Sequence, residues 1–387
     1  MSGIVLSASV RQNLLSLQST AELLSTTQNR LATGRKVNTA LDNPTNYFTA
    51  QGLDNRANDI SNLLDGIGNG VQVLQAANTG ITSLQKLVDT AKSIANQVLQ
   101  TTVGYSTKST VTSAAALGGT AANLVDGVTI KAGQTILVAA NGALPALTVT
   151  IGATESLDQL NTALAAGSLT ASLDSSNKLV ITTTNDAASS TIGAVTVGST
   201  PGSASFGASV APVADAGSQA IRSNLVSQYN NIVAQITTTA QDASFNGINL
   251  LNADNLKLTF NETGKSTLNI TGVTYDATGL GLNALVGGTD FLDNNSANKV
   301  ITALSAASTS LRTEASALGS NLSIVQIRQD FSKSLINVLQ TGSSSLTLAD
   351  TNEEAANSQA LSTRQSIAVS ALALSNQSQQ SVLQLLR

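Results

Sequence analysis

An apolar pattern of helical spacing between Ile60 and Leu99 constrains this chain more than any other feature. With a few polar interruptions, apolar residues recur there in alternating steps of three and four, as one face of an α-helix requires. A second apolar row runs parallel to the first, so this helix must pack against at least two others. At about 1.5 Å per residue the helix is roughly 60 Å long, which predicts an elongated bundle.

The composition limits what such a bundle can do. Aromatic residues make up only 3% of the 387 residues and Trp is absent, so the cores depend on Leu, Ile, Val and Ala. The sequence contains neither Cys nor His, which excludes Cys and Ser/His nucleophiles and the usual zinc sites. We therefore predict a protein that is not an enzyme, with no catalytic, cofactor-binding or metal-binding residues.

The charge distribution argues against two classes of partner. The 19 basic and 23 acidic residues give a pI near 4.9, so nucleic acid is not an expected partner. No segment approaches 18 consecutive apolar residues, and the N-terminus lacks a basic region followed by an apolar run. Neither membrane insertion nor Sec export is expected. The absence of Cys suits a protein that works outside the cell.

Each end of the chain carries a helix with one narrow apolar stripe. The first helix ends at Gly34, a C′ glycine, and Pro44 begins the next helix with Asn43 or Asp42 as its N-cap. The residues predicted to form the contacts of the two end helices, and the interface between subunits, are Val10, Leu14, Leu17, Leu24, Leu31, Ile367, Ala371, Leu374, Val382 and Leu386.

Between the end helices lie further helical segments and a region of different character. From 103 to 217 the chain is rich in Ala, Gly, Ser and Thr, with one short amphipathic helix around Leu160. Short alternating runs predict strands near 128–130, 136–138, 147–151, 169–173 and 179–181. Helical spacing resumes at about Ser218, and a β-hairpin is predicted around the turn at Gly264. Helical spacing returns from Leu304, where Phe331 and Leu335 broaden the stripe into a second face.

These patterns together predict a mainly α protein: a long antiparallel helical bundle or coiled coil, with a β-hairpin and an inserted small α+β outer domain. The predicted divisions are an N-terminal end helix with its connector (1–43), a long bundle helix (44–102), the β-rich outer domain (103–217), a bundle helix with the hairpin (218–298), a second long bundle helix (299–341), and a Gly-Ser connector at 342–345 with the C-terminal end helix (342–387).

Two short patterns resemble chemical sites but have a simpler structural interpretation. Gly66, Gly68 and Gly70 fall inside the helical pattern and miss the spacing of a phosphate loop, so we interpret them as positions of close helix packing. Asp350 and Glu353, together with Glu354, lie at the start of a helix, where the helix dipole favours carboxylates without any chemistry.

The run from Arg30 to Phe48 closely resembles the N-terminal signature of bacterial flagellins, in the form found in alphaproteobacteria. The resemblance continues at 63–68, at 80–84 and in the C-terminal tail from Asn376 to Arg387. It implies a secreted subunit of the extracellular flagellar filament, exported unfolded by the flagellar type III apparatus. Its implied partners are further copies of itself, hook-associated proteins and an export chaperone.

The order of the segments suggests how such subunits associate. The end helices are expected to form an antiparallel pair without a globular core, and isolated helices of this kind are marginal in water. We expect them to become ordered against neighbouring copies through contacts that do not close, which produce a helical filament. Two alternatives remain open, namely a hook-filament junction protein and a secreted adhesin or enzyme displayed on flagellin-like ends.

Overall fold

The computed structural model describes residues 8–198 and 205–385 of the chain. The α-helices are α1 (Ala8–Thr33), α2 (Pro44–Gln100), α3 (Leu157–Leu164), α4 (Ala216–Asp242), α5 (Asn294–Thr347) and α6 (Thr351–Leu385). The strands are β1 (Tyr105–Thr107), β2 (Thr110–Thr112), β3 (Thr135–Val138), β4 (Leu147–Thr150), β5 (Leu169–Leu173), β6 (Leu179–Thr183), β7 (Val195–Val197), β8 (Val213–Ala214), β9 (Asn255–Thr259) and β10 (Thr267–Thr271). The predicted fold class is confirmed: long helices dominate, and a small strand-rich domain is inserted between α2 and α4.

Side-chain caps and a glycine set the ends of the long helices. The Asn43 side chain accepts a hydrogen bond from the Asn46 amide at 3.1 Å, which identifies Asn43 as the N-cap that precedes Pro44. After α1 the chain turns at Gly34, whose φ of +67° is accessible to glycine at little cost. The Asp350 carboxylate accepts from the Asn352 amide at 2.9 Å and caps α6.

The connector predicted at 342–345 is wrong, because α5 continues through it to Thr347. The small residues there allow close packing, since a Cβ added at Gly342 would lie 3.4 Å from Leu53 of α2. Ser343 and Thr347 are buried, and their side chains suit this tight contact without breaking the helix. The connector between α5 and α6 is therefore limited to 348–350.

The described residues form two compact units. The first contains α1, α6, the first half of α2, the last part of α5 and the tip of the β9–β10 hairpin. Its core is built around Ala57, Ile60 and Leu339. The hairpin tip attaches to this core by an ion pair between Arg56 and Glu262 at 2.8 Å, and by the Arg328 guanidinium above the Phe260 ring.

The second unit contains α2 from Gly70 onwards, α4, α5 as far as Ser323, and the inserted domain. Here the two predicted rows of α2 merge into one fully buried set with regular steps of three and four. Its members, each 0% exposed, are Leu74, Ala77, Ile81, Leu84, Val88, Ala91, Ala95 and Val98. The helix predicted from the apolar spacing is therefore present, and one continuous row of its side chains is fully buried.

Of the three glycines predicted to pack closely, Gly66 and Gly68 do not, Gly70 is buried, and a close contact occurs at Gly80. A Cβ added at Gly66 would meet nothing within 4 Å, and at Gly68 the nearest atom, the Gln329 amide nitrogen, would be 4.0 Å away. At Gly80, by contrast, an added Cβ would lie 2.6 Å from the Ala243 side chain and 2.7 Å from that of Leu251. The interpretation of Gly66 and Gly68 as close-packing positions is thus wrong for the single chain. Their place inside α2 agrees with the rejection of a phosphate loop.

The inserted domain consists of two three-stranded antiparallel sheets and α3. The strand orders are β2-β6-β5 and β4-β3-β7. A capping box between Ser156 and Gln159 begins α3, and Leu160 and Leu164 of this helix are buried. The domain has its own apolar core, formed by buried side chains between Val111 and Val195.

A loop around Asp126 replaces one predicted strand. The segment 128–130 alternates like a strand, but the Asp126 carboxylate accepts hydrogen bonds from the amides of Val128, Thr129 and Ile130 at 2.7–2.9 Å. It also accepts from the Gly118 amide at 2.8 Å and from the Thr129 hydroxyl. This concentration of local bonds turns the chain and prevents it from pairing as a strand.

The inserted domain leaves the bundle and returns to it at one place. β1 pairs antiparallel with β8, with Thr107 opposite Val213. The hydroxyls of Thr102 and Ser218 are 2.9 Å apart, and the Asp215 amide donates to the Gly104 carbonyl at 3.0 Å. The C-terminal end of α2 and the N-terminal end of α4 therefore lie side by side.

The proximity of these ends predicts that the inserted domain can be removed without loss of the bundle. In the deletion variant, Thr107 is joined to Val213 by Asn-Gly, the preferred loop for a two-residue hairpin. Because the domain has a separate core, the remaining helices should keep their helical content and unfold cooperatively in calorimetry. A bundle that loses its helical circular dichroism after this deletion would contradict the prediction.

Asp126 predicts a pH dependence of the inserted domain. Burial raises the pKa of the Asp126 carboxyl, but the hydrogen bonds from Thr129, Ile130, Val128 and Gly118 outweigh burial and hold its pKa well below the usual range. Because the folded pKa lies below the unfolded value of about 3.9, the stabilisation is complete above that value and is lost as the pH falls towards the folded pKa.

We expect Asp126→Asn to lower the free energy of unfolding of the inserted domain at pH 7 by about 1 kcal/mol or more, because charge-assisted hydrogen bonds are lost. The variant should also flatten the decline in stability between about pH 4 and pH 2. Calorimetry of the full chain measures the stability of the inserted domain. Its unfolding transition is identified as the one that is absent from the deletion variant. If the stability of the inserted domain falls equally with decreasing pH in the parent protein and in Asp126→Asn, the Asp126 carboxylate does not stabilise the domain as predicted.

Candidate assembly surface

α1 and α6 pack against each other as an antiparallel pair. Arg30, near the C-terminal end of α1, forms an ion pair at 3.2 Å with Glu354, near the N-terminal end of α6. The two connectors pair beside it: the Lys36 amide donates to the Thr347 carbonyl at 2.8 Å, and the Ala349 amide to the Gly34 carbonyl at 3.0 Å. These bonds join the segment after α1 to the segment before α6.

The predicted contact residues of α1 differ in how far they are buried. Val10 is buried, while Leu17 and Leu24 are partly buried. Leu14 and Leu31 are 37% and 39% exposed and lie at the edge of the contact. The remaining buried residues of α1 are Thr20 and Thr27, which sequence reasoning did not include because an apolar row was sought.

On α6 the predicted row faces away from α1. Ile367 is 64% exposed, Leu374 is 69% exposed, and Ala371 between them is also exposed. Val382 lies further along α6, and Leu386 lies outside the described residues. The less exposed positions follow a different row with steps of four and three, namely Glu354, Ser358, Leu361, Gln365, Ala368, Leu372 and Ser375. The predicted row therefore does not line the contact with α1 in the single chain; as a contact between subunits it stays a prediction.

The contact between α1 and α6 is poor in apolar side chains. Its two sides supply Thr20 and Thr27 from α1, and Ser358 and Gln365 from α6, among only a few leucines. Several large apolar residues of both helices point outwards instead. Among the side chains that the structure describes, the other large apolar residues of this pair that are exposed are Leu15, Leu23 and Val369.

A further exposed apolar row occurs on the last part of α5. The row begins at Ile324 and continues three, seven and fourteen residues later at Ile327, Phe331 and Val338. These spacings place all four side chains on one face of the helix. Their exposed fractions range from 42% to 68%. Of these, sequence reasoning identified only Phe331; the others could have been found by following its row along the helix.

Most of the large exposed apolar side chains of the described residues belong to the first compact unit, and the connectors add Leu41 and Leu348. Single exposed apolar residues are ordinary, whereas a concentration of them marks a surface that is covered by a partner. Charge is also scarce there: α6 has no charged residue after Arg364. Depletion of charge is characteristic of the centre of a protein interface.

Two of the three carboxylates at the start of α6 have structural partners. Asp350 caps the helix, and Glu354 is paired with Arg30. No group of acidic residues suited to hold a metal ion occurs within residues 8–198 and 205–385. Over the same residues, no helix is both long enough and apolar enough to cross a membrane.

Comparison with known proteins gives matches at both ends of the chain. Residues 5–117 match the family model of the bacterial flagellin N-terminal helical region, and residues 301–386 match that of the bacterial flagellin C-terminal helical region. Together the two matches cover about half of the chain.

Individual relatives agree with these matches. Flagellin FljM of Caulobacter vibrioides is 32% identical over 165 residues, which are 42% of this chain and 59% of the relative. Flagellin FljK of the same organism is 30% identical over 165 residues, again 42% of this chain and 59% of the relative. Flagellin A of Rhizobium meliloti is 35% identical over 88 residues, 23% of this chain and 22% of the relative. The chain thus matches less than two thirds of the length of these relatives. From the paired N- and C-terminal matches and these relatives, the chain belongs to the bacterial flagellin family and is of the alphaproteobacterial type.

Proposed function

We propose that this protein is a structural subunit that polymerises into the extracellular helical filament of the bacterial flagellum and thereby serves swimming motility. The observation that carries the proposal is the outward apolar row of α6, where Ile367 and Leu374 are more than 60% exposed in the single chain. Membership of the flagellin family supports the same function.

The physical basis of assembly is the burial that the single chain lacks. Each leucine or isoleucine moved from water into a contact stabilises that contact by about 1.5–3 kcal/mol. The outward faces of α1 and α6 offer several such side chains, whereas their mutual contact contains many hydroxyl and amide groups. If identical subunits contact each other through two different surfaces, the association does not close and a helical polymer results.

The proposal extends to the partners that such a filament requires. Neighbouring copies of the same chain would cover the apolar faces of α1, α5 and α6. Hook-associated proteins at the filament ends and an export chaperone are further proposed partners. The role is structural rather than enzymatic, and secretion places the subunit outside the cell.

The alternatives differ in the size of the assembly. A hook-filament junction protein would form a short ring, and an enzyme or adhesin displayed on flagellin-like ends would require a binding or catalytic site. The relatives matched by this chain are named flagellins, which favours the filament subunit. Electron microscopy of the purified protein at rising concentration should show micrometre-long filaments. Short rings or a persistent monomer would contradict the proposal.

Replacement of one outward residue tests the proposed contact. In Leu374→Asp a charge is placed on an apolar face that becomes desolvated in the polymer, which opposes association. We expect the critical concentration for polymerisation to rise at least tenfold, corresponding to about 1.4 kcal/mol per subunit. The helical circular dichroism should be unchanged, because the side chain is 69% exposed in the single chain.

Leu137→Asp is the matched control, because it places the same charge at a leucine that is 41% exposed in the inserted domain. This variant should polymerise like the parent protein when both are followed by light scattering and sedimentation. Normal polymerisation of folded Leu374→Asp would exclude the outward row of α6 as a subunit contact.

A further inference from the structure

A fully buried arginine lies where the inserted domain joins the bundle. Arg222 of α4 is 0% exposed, which is rare for a residue that keeps its charge in proteins. A buried cation is costly unless its donors are satisfied. The partners of Arg222 therefore show what this residue holds together.

Three of these partners are carbonyl groups at the C-terminal end of α2. The Arg222 Nε donates to the Thr102 carbonyl at 2.8 Å, and Nη2 donates to the carbonyls of Val98 and Thr101, each at 3.1 Å. Carbonyls at the end of a helix lack partners within the helix, and the dipole there favours a positive charge. Arg222 thus fastens α4 to the segment that leads into the inserted domain.

The fourth partner is the carbonyl of Phe291, in the segment before α5. Nη1 of Arg222 donates to it at 2.6 Å. Phe291 has a φ of +60°, an unfavourable conformation for a bulky residue that persists only where its surroundings hold it. Its ring is fully buried and makes an edge contact with Tyr229, with the centroids 6.1 Å apart. Arg222 and this ring contact together fix the course of the segment 291–293.

That segment binds the inserted domain directly. Asp293 caps α5 by accepting from the Ser296 amide at 2.9 Å, and its other carboxylate oxygen accepts from the Ser189 hydroxyl at 2.5 Å. Ser189 belongs to the inserted domain, between β6 and β7. The Gly104 amide also donates to the Leu292 carbonyl at 3.3 Å. The same short segment therefore contacts both the residue just before β1 and the loop between β6 and β7.

These contacts give the inserted domain a third attachment. Its two chain crossings lie side by side at Thr102 and Ser218 and by themselves would act as a hinge. The bond from Ser189 to Asp293 lies away from that hinge in sequence and opposes rotation about it. All of these residues belong to the second compact unit.

We propose that Arg222 is a latch that holds the inserted domain in one fixed orientation on α4 and the start of α5. It does so by positioning the segment 291–293, to which Ser189 binds. The inserted domain is then a rigid extension of the bundle and not a tethered module. This inference goes beyond the proposed function, because it concerns the single chain and does not require polymerisation.

Distance measurements between two spin labels test the latch. The chain contains no Cys, so labels can be attached at Ser175→Cys in the inserted domain and Ser93→Cys on α2, both of which are exposed. Electron double resonance on the monomer should give one narrow distance distribution in the otherwise unchanged chain. In Arg222→Met we expect the width of the distribution to about double, because the segment 291–293 is released.

Arg222→Lys keeps the charge but cannot reach four carbonyls, so it should also broaden the distribution. Ser189→Ala removes only the outer attachment and should broaden the distribution without affecting the thermal unfolding of the bundle. Arg312→Met, at an exposed arginine of α5, is the matched control and should leave the width unchanged.

The result that would overturn the proposal is a folded Arg222→Met variant whose distance distribution is as narrow as that of the parent protein. If Arg222→Met does not fold, Arg222→Lys and Ser189→Ala test the proposal instead. Distance distributions as narrow as that of the parent protein in both variants would overturn it. Because the measurement is made on monomers, its failure would leave the proposal of filament assembly unaffected.

Discussion

Burial of the apolar row on α2 is the interaction on which the rest of the structure depends. From Leu74 to Val98 this row has no exposed surface, and each of its leucine or isoleucine side chains stabilises the fold by about 1.5–3 kcal/mol. The end helices have no comparable row, since their mutual contact includes Thr20 and Gln365. The chain therefore combines a well-packed middle with end helices that keep their apolar residues on the outside. This difference is the physical basis of the proposed assembly, because the outward apolar residues remain available for contacts with other copies.

The other elements serve this arrangement in separate ways. Connector hydrogen bonds and the pair between Arg30 and Glu354 hold α1 beside α6, so that both outward faces are presented together. The inserted domain has its own apolar core. Its attachment through Arg222 and Asp293 instead fixes its orientation on α4 and α5, as we propose. In the proposed function, the end helices and the last part of α5 form the subunit contacts, and the inserted domain takes no part in them.

The sequence predicted those features that depend on neighbouring residues. It could not predict which of two rows with the same spacing on a helix faces its partner. The spacing along α2, the Asn43 cap and the hairpin around Gly264 depend on neighbouring residues, and the structure confirms them. Two rows of α6 have the same spacing, so periodicity alone could not show that Leu361 and Leu372 face α1 while Ile367 and Leu374 face outwards. The strand predicted at 128–130 failed because hydrogen bonds to Asp126 outweigh β-propensity. Arg222 gave no signal, because all of its partners are distant in sequence or on another helix.

We propose that the outward apolar faces of the end helices and of α5 become buried when subunits associate. Hydroxyl-radical footprinting of monomer and polymer measures this directly, because the oxidation rate of a side chain follows its exposure to solvent. We expect the oxidation of Leu374, Ile327 and Phe331 to fall strongly on polymerisation, while that of Val128 and Leu137 in the inserted domain changes little. Equal oxidation of Leu374 and Phe331 in monomer and polymer would contradict it.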